Sequence, residues 1–111
     1  MNETTFVMYF KVNARSKNWT VYTIYETDKI GGKEGYLGYT DYDKHIVVLE
    51  KASIRKMIDT LKHELMHVWL KENGYNQDKL FDVEELCDIV AYSNSFISSV
   101  TDDYLREKML T

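Results

Sequence analysis

The chain of 111 residues contains no proline, one cysteine and no long apolar run, and each absence removes a class of protein. A lone Cys87 cannot close an internal disulfide, which excludes a disulfide-built secreted scaffold and suits a reducing compartment. No stretch approaches the roughly 18 apolar residues of a membrane span, so no membrane association is expected. Basic runs are missing too. With 14 Lys and Arg against 18 Asp and Glu the net charge is -4, and nucleic acid is not expected as a partner. The opening residues Met1-Asn2-Glu3-Thr4-Thr5 carry an acid where a secretion signal has its basic region, which points to the cytoplasm.

What is present fits a soluble globular protein: 44% hydrophobic and 29% charged residues, enough for one modest core in a single domain over 1–111. The periodicity changes near residue 51. Before it, β-branched and aromatic segments read as strands. Phe6 to Val12 is the first, Asn13 to Asn18 a polar turn, and Trp19 to Tyr25 the second, with Trp19, Val21, Thr23 and Tyr25 on one face and Tyr22 and Ile24 on the other. Ile30-Gly31-Gly32-Lys33 reads as a flexible connection, Glu34 to Thr40 as a weaker third strand, Asp41 to Lys44 as a turn, and His45 to Glu50 as the clearest strand. Short connections predict mostly antiparallel neighbours.

From about 54 to 110 the pattern is helical. Ser53 is the expected N-cap, and Ile54, Met57, Ile58, Leu61, Leu65 and Val68 recur at three- and four-residue spacing as a buried stripe. Gly74 is the expected left-handed stop. Asp82-Val83-Glu84-Glu85 matches a capping box at the start of a second helix, whose apolar face is read as Leu86, Ile89, Val90, Ser93, Phe96 and Ile97. Asp103 to Leu110 is either its continuation or a short terminal helix. The expected class is therefore α+β: a small antiparallel sheet of three to four strands followed by a zincin-like pair of helices.

Inside the first helix lies His63-Glu64-Leu65-Met66-His67, an H-E-x-x-H sequence. A helix turns once in about 3.6 residues, so His63 and His67 stack on one face and reach one zinc ion, while Glu64 leans over its open side as a general base. A hydrolytic zinc site typically takes three protein ligands and keeps the fourth place for water. Here the third is His45, a carboxylate, or absent. The capping box occupies Glu85, which leaves Glu84 as the preferred ligand and Asp88, one turn on, as the outer acceptor for a metal-bound imidazole. Candidate donors to a tetrahedral oxyanion are Tyr92 and His45. The strand from His45 to Glu50 is expected to pair with an extended peptide substrate along its edge. Cys87 is read as a small core residue.

The H-E-x-x-H sequence followed by Glu84-Glu85-Leu86-Cys87-Asp88 and Ala91 resembles the gluzincin pattern of H-E-x-x-H with E-x-x-A-[DN]-x-x-A. It is most similar to ImmA/IrrE-type metallopeptidases in the short form carried by phages and mobile elements, which also place an edge strand and a turn ahead of the motif helix, as Gly38 to Leu49 does here. The resemblance covers about residues 35 to 97. It departs at Met66, where the family often has Gly, and at Cys87, where it often has Ala. It implies a zinc-dependent hydrolase of peptide bonds in a protein or peptide substrate, such as a regulatory repressor, with Glu64 as base on zinc-bound water. The alternative from another class is a zinc-containing protein-binding or regulatory module with little or no turnover.

Overall fold

The computed structural model describes residues 6–24 and 37–110. The Gly31-Gly32 connection, Tyr25 and the beginning of the expected third strand lie outside them. Four strands precede two helices: β1 (Phe6–Ala14), β2 (Lys17–Ile24), β3 (Gly38–Asp41), β4 (Ile46–Glu50), α1 (Ile54–Glu72) and α2 (Val83–Leu110). The α+β order read from the periodicity is the order observed.

The sheet runs β1-β2-β4-β3. β1 and β2 form a hairpin whose turn is only Arg15-Ser16, both at positive φ (48° and 68°), the backbone that matches the twist of two-residue hairpins. The longer turn expected over Asn13 to Asn18 shrinks because Asn13 pairs with Asn18 and Ala14 with Lys17. β3 and β4 form the second antiparallel hairpin, its turn fixed by the Asp41 carboxylate, which accepts the amides of Asp43 and Lys44 at 3.0 Å each. The sheet is nevertheless mixed, because β2 and β4 pair in parallel. Consecutive strands β2 and β3 are not neighbours here. β4 inserts between them, and its direction follows from its hairpin with β3.

The period-two alternation of β2 is realised. Trp19 and Val21 join Val12, Val47 and Leu49 in the main core, beneath Met57, Leu61, Leu65 and Val68 of α1 and Val100 and Tyr104 of α2. On the opposite sheet face, Ile24 and Val48 gather Tyr22, Tyr39 and Ile46. Thr23, fully buried on the helix side, shares a 3.0 Å hydrogen bond with the Tyr104 hydroxyl, which satisfies both polar groups and ties the far part of α2 to β2.

Both helices begin and end by the chemistry their termini require. The Ser53 hydroxyl accepts the Lys56 amide at 3.3 Å. At the other end Gly74 takes φ 78°, its amide donates to Lys71 O, and Tyr75 N donates to Leu70 O, the two bonds of a Schellman motif. Asp82 and Glu85 exchange reciprocal bonds of 2.8 and 3.2 Å, so Glu85 does cap its own helix. α2 continues unbroken to Leu110.

Two expectations about helix faces are corrected. Ile54 is 52% exposed, because the buried stripe of α1 begins only at Met57. Leu86 and Val90 are exposed, and so is Cys87, expected in the core. The α2 residues that face inward are Ile89, Ser93, Val100 and Tyr104, and at about 100° per residue Cys87 and Val90 fall well away from Ile89.

Candidate active site

The two motif histidines occupy adjacent turns of α1, as i and i+4 require, with ring centroids 5.1 Å apart and planes at 75°. His63 is exposed and His67 half-buried. Glu64 is turned the other way, toward the sheet, and is only 7% exposed.

A buried carboxylate needs a partner, and β3 provides one. Thr40 Oγ1 donates to Glu64 Oε1 at 2.7 Å. The close approach this demands is permitted by Gly38, where a Cβ would stand 2.6 Å from Thr60 Cγ2 and 2.9 Å from the Val48 carbonyl oxygen. Gly38 and Thr40 are two residues apart on the strand, hence on one face. Thr60 and Glu64 are one turn apart on the helix. The strand and the helix therefore run alongside each other, and Glu64 sits under the sheet margin.

β1 and β3 are the outer strands of the described sheet, whereas β4 is paired on both sides, to β2 and to β3. The substrate edge expected on His45 to Glu50 is thus already consumed by ladders. Among the described residues the sheet edge on the Glu64 side belongs to β3, the strand that holds Glu64.

The loop between the helices supplies a residue that the sequence did not mark. Its course is fixed by rings: Tyr75 stacks on Trp69 at 5.5 Å and Phe81 meets Tyr75 edge-on at 6.0 Å, while Lys79 pairs with Glu85 at 2.7 Å. Held in that loop, Gln77 places its Oε1 2.7 Å from His67 Nδ1. The Tyr42 hydroxyl, from the β3–β4 turn, donates to the same oxygen at 3.2 Å. Burial holds the Tyr42 phenol above its ordinary pKa, and the bond to Gln77 partly offsets this. The nearby Glu64 and Asp78 carboxylates add to the rise. Tyr42 is therefore a neutral hydroxyl beside the base.

The remaining sequence candidates are not drawn into this cluster. Glu84 is exposed in the first turn of α2, about 140° around that helix from the buried Ile89. Asp88 is also exposed, and the outer nitrogen of His67 meets Gln77. Tyr92 is 67% exposed on α2. His45 stacks on the Trp19 indole, centroids 4.7 Å apart, with φ 56°. Among the described residues no group of three or more His, Cys, Asp and Glu side chains is assembled to hold a metal. Of the donor chemistry zinc requires, the described residues bring together the two imidazoles of adjacent turns: Gln77 engages one ring nitrogen of His67 and leaves its other nitrogen open, while Glu64 faces Thr40.

Thr40, Tyr42 and Gln77 escaped the reading of the sequence. For Thr40 and Tyr42 a signal existed, since both follow Gly38 at two-residue spacing in the strand and turn that lead into β4. Gln77 left none, being one polar residue in a polar loop. Comparison with family models, with curated proteins and with solved structures finds no match for the chain.

Proposed function

We propose that the chain is a zinc-dependent metallopeptidase that hydrolyses peptide bonds of a protein substrate. The observation that carries this reading is Glu64: a carboxylate taken out of water, held at 2.7 Å by Thr40, one residue from His63 and against β3, an edge strand of the described sheet. A structural metal site has no use for such a base and would fill the fourth position with protein. His63 and His67 are the proposed ligands, and Glu84 the proposed third. Zinc bound there would supply Lewis acidity, lowering the pKa of a coordinated water and polarising the scissile carbonyl. Glu64 accepts the proton as water oxygen bonds to the carbonyl carbon, then delivers it to the amine nitrogen as the C–N bond breaks. The Tyr42 hydroxyl, whose hydrogen would have to leave Gln77 Oε1 to do so, is the proposed donor to the tetrahedral oxyanion in preference to Tyr92 or His45. β3 gives an extended substrate a ladder to join.

A second reading is favoured by a different observation. Val83, Leu86 and Val90 expose an apolar strip on α2, with Cys87 and Ala91 beside them. A zinc-containing binding module with little turnover would use such a strip to meet a partner protein. No helix among the described residues is long and apolar enough to cross a membrane. Together with the exposed thiol of Cys87 this supports a proposed cytoplasmic location.

The test is metal analysis combined with Glu64→Gln. The peptidase reading expects about one zinc per chain, retained in the variant while cleavage of an unfolded protein substrate disappears. Zinc far below one equivalent and not restored by added metal ends both readings. Retained biological activity in Glu64→Gln transfers the case to the binding module.

A further inference from the structure

The Gln77 side chain lies at a crossing of three polar contacts. Its Oε1 is 2.7 Å from His67 Nδ1 and 3.2 Å from the Tyr42 hydroxyl, and its Nε2 is 3.5 Å from the His67 carbonyl oxygen. One orientation of the carboxamide satisfies all three, with its oxygen toward ring and phenol and its NH2 toward the backbone carbonyl. Turned over, the amide would donate to ring and phenol but would set its oxygen 3.5 Å from the His67 carbonyl oxygen, two acceptors with no hydrogen between them. An amide oxygen accepts and never donates, so the hydrogen between Gln77 and His67 belongs to Nδ1. The lone pair of the neutral ring is then on Nε2.

We propose that Gln77 is a positioning residue: it fixes His67 as the Nδ1–H tautomer and so presents Nε2 to the divalent metal. The metal half of this statement rests on the zinc reading above. The tautomer half is a property of the metal-free chain. Tyr42 is the support of the device, because its hydroxyl occupies the second lone pair of the same oxygen and restrains the carboxamide from rotating. The loop is suited to the task. The Schellman turn at Gly74 and the Trp69–Tyr75–Phe81 ring stack fix both sides of Gln77. A carboxylate at this place would make the imidazole more basic. A neutral amide orients the ring without adding negative charge.

The closing experiment has two independent readouts. Long-range proton–nitrogen NMR correlations on the metal-free protein at mildly alkaline pH report which His67 nitrogen carries hydrogen. Competition with a chromophoric chelator reports affinity for zinc alone. The wild type is expected to show Nδ1–H at His67. Gln77→Leu should mix the two tautomers and weaken zinc binding by about 10- to 100-fold, the usual effect of losing an outer partner. Gln77→Glu, which keeps an acceptor, should retain Nδ1–H and bind zinc at least as tightly as the wild type. Tyr42→Phe should keep the tautomer with a smaller loss of affinity. A wild-type His67 that carries its hydrogen on Nε2 overturns the proposal without any variant, and so does a Gln77→Leu protein with unchanged tautomer and affinity. A folded wild type with Nδ1–H that takes up no zinc overturns the zinc reading and leaves the tautomer assignment standing.

Discussion

Thr40 on the outer strand β3 and Glu64 on the motif helix α1 are joined by a 2.7 Å hydrogen bond. This bond ties the sheet margin to the Glu64 carboxylate of α1. Thr40→Val keeps the shape and removes the donor, leaving a carboxylate that is 7% exposed without its partner. Loss of a hydrogen bond to such a charged group should cost about 1.5–3 kcal/mol, read from urea denaturation. Thr40→Ser should recover most of it. A Thr40→Val protein as stable as the wild type would show that Glu64 finds another donor.

Gly38 admits the strand to this distance. A methyl group there meets Thr60 Cγ2 at 2.6 Å and the Val48 carbonyl oxygen at 2.9 Å. The Thr60 side chain is held by its 2.8 Å bond to the Lys56 carbonyl, and the Val48 backbone is locked in the β4 ladder. Gly38→Ala should therefore lower stability by about 1–3 kcal/mol, measured by thermal unfolding, and loosen the Thr40–Glu64 bond with it. An unchanged melting temperature would mean that β3 shifts freely away from α1.

Glu84 and Glu85 are adjacent in sequence and should separate in function. Glu84→Ala is expected to weaken zinc binding with the melting temperature of the metal-free protein unchanged. Glu85→Ala should lower that melting temperature and leave zinc affinity alone, since Glu85 is engaged by Lys79 and the Asp82 amide. The ion pair with Lys79, and then the Asp82 amide, hold the Glu85 carboxyl below its ordinary pKa. The folded state thus prefers the ionised form. The resulting stability is present above the unfolded carboxylate's pKa and is lost as pH falls through the lower folded value. Glu85→Gln should flatten that acid limb. Reversed effects of the two alanine variants would move the proposed third ligand to Glu85.

Tyr104 sets the alkaline limit. Burial lifts its phenol above the ordinary value of 10.0, partly offset by the bond to Thr23. The folded state therefore holds the proton more tightly than the unfolded chain. Stability from this group is complete below the unfolded pKa and is lost as pH rises through the folded one. Unfolding free energy should fall above about pH 10, and Tyr104→Phe should remove much of that fall while losing about 1 kcal/mol at neutral pH. A variant with the same alkaline decline as the wild type would place the sensitive group elsewhere.

The sequence by itself determined whatever depends on neighbours within a few residues. Ser53, Gly74 and the Asp82–Glu85 pair mark the helix limits because caps satisfy amides and carbonyls one turn away. The alternation of Trp19, Val21 and Thr23 follows from the pleat, and the edge-on meeting of His63 and His67 from the helical repeat. Tertiary structure alone decided which strand borders the site, which face of α2 is buried and what touches the two reactive motif side chains. β4 lies in the interior of the sheet and β3 at its edge because strand order depends on pairings distant in sequence, which local periodicity does not encode. Glu64 found Thr40 across 24 residues, and His67 found Gln77 across a loop held by three rings. Hydrogen bonds between side chains on different elements depend on packing distances of tenths of an ångström. No pattern of residue types along a chain specifies those.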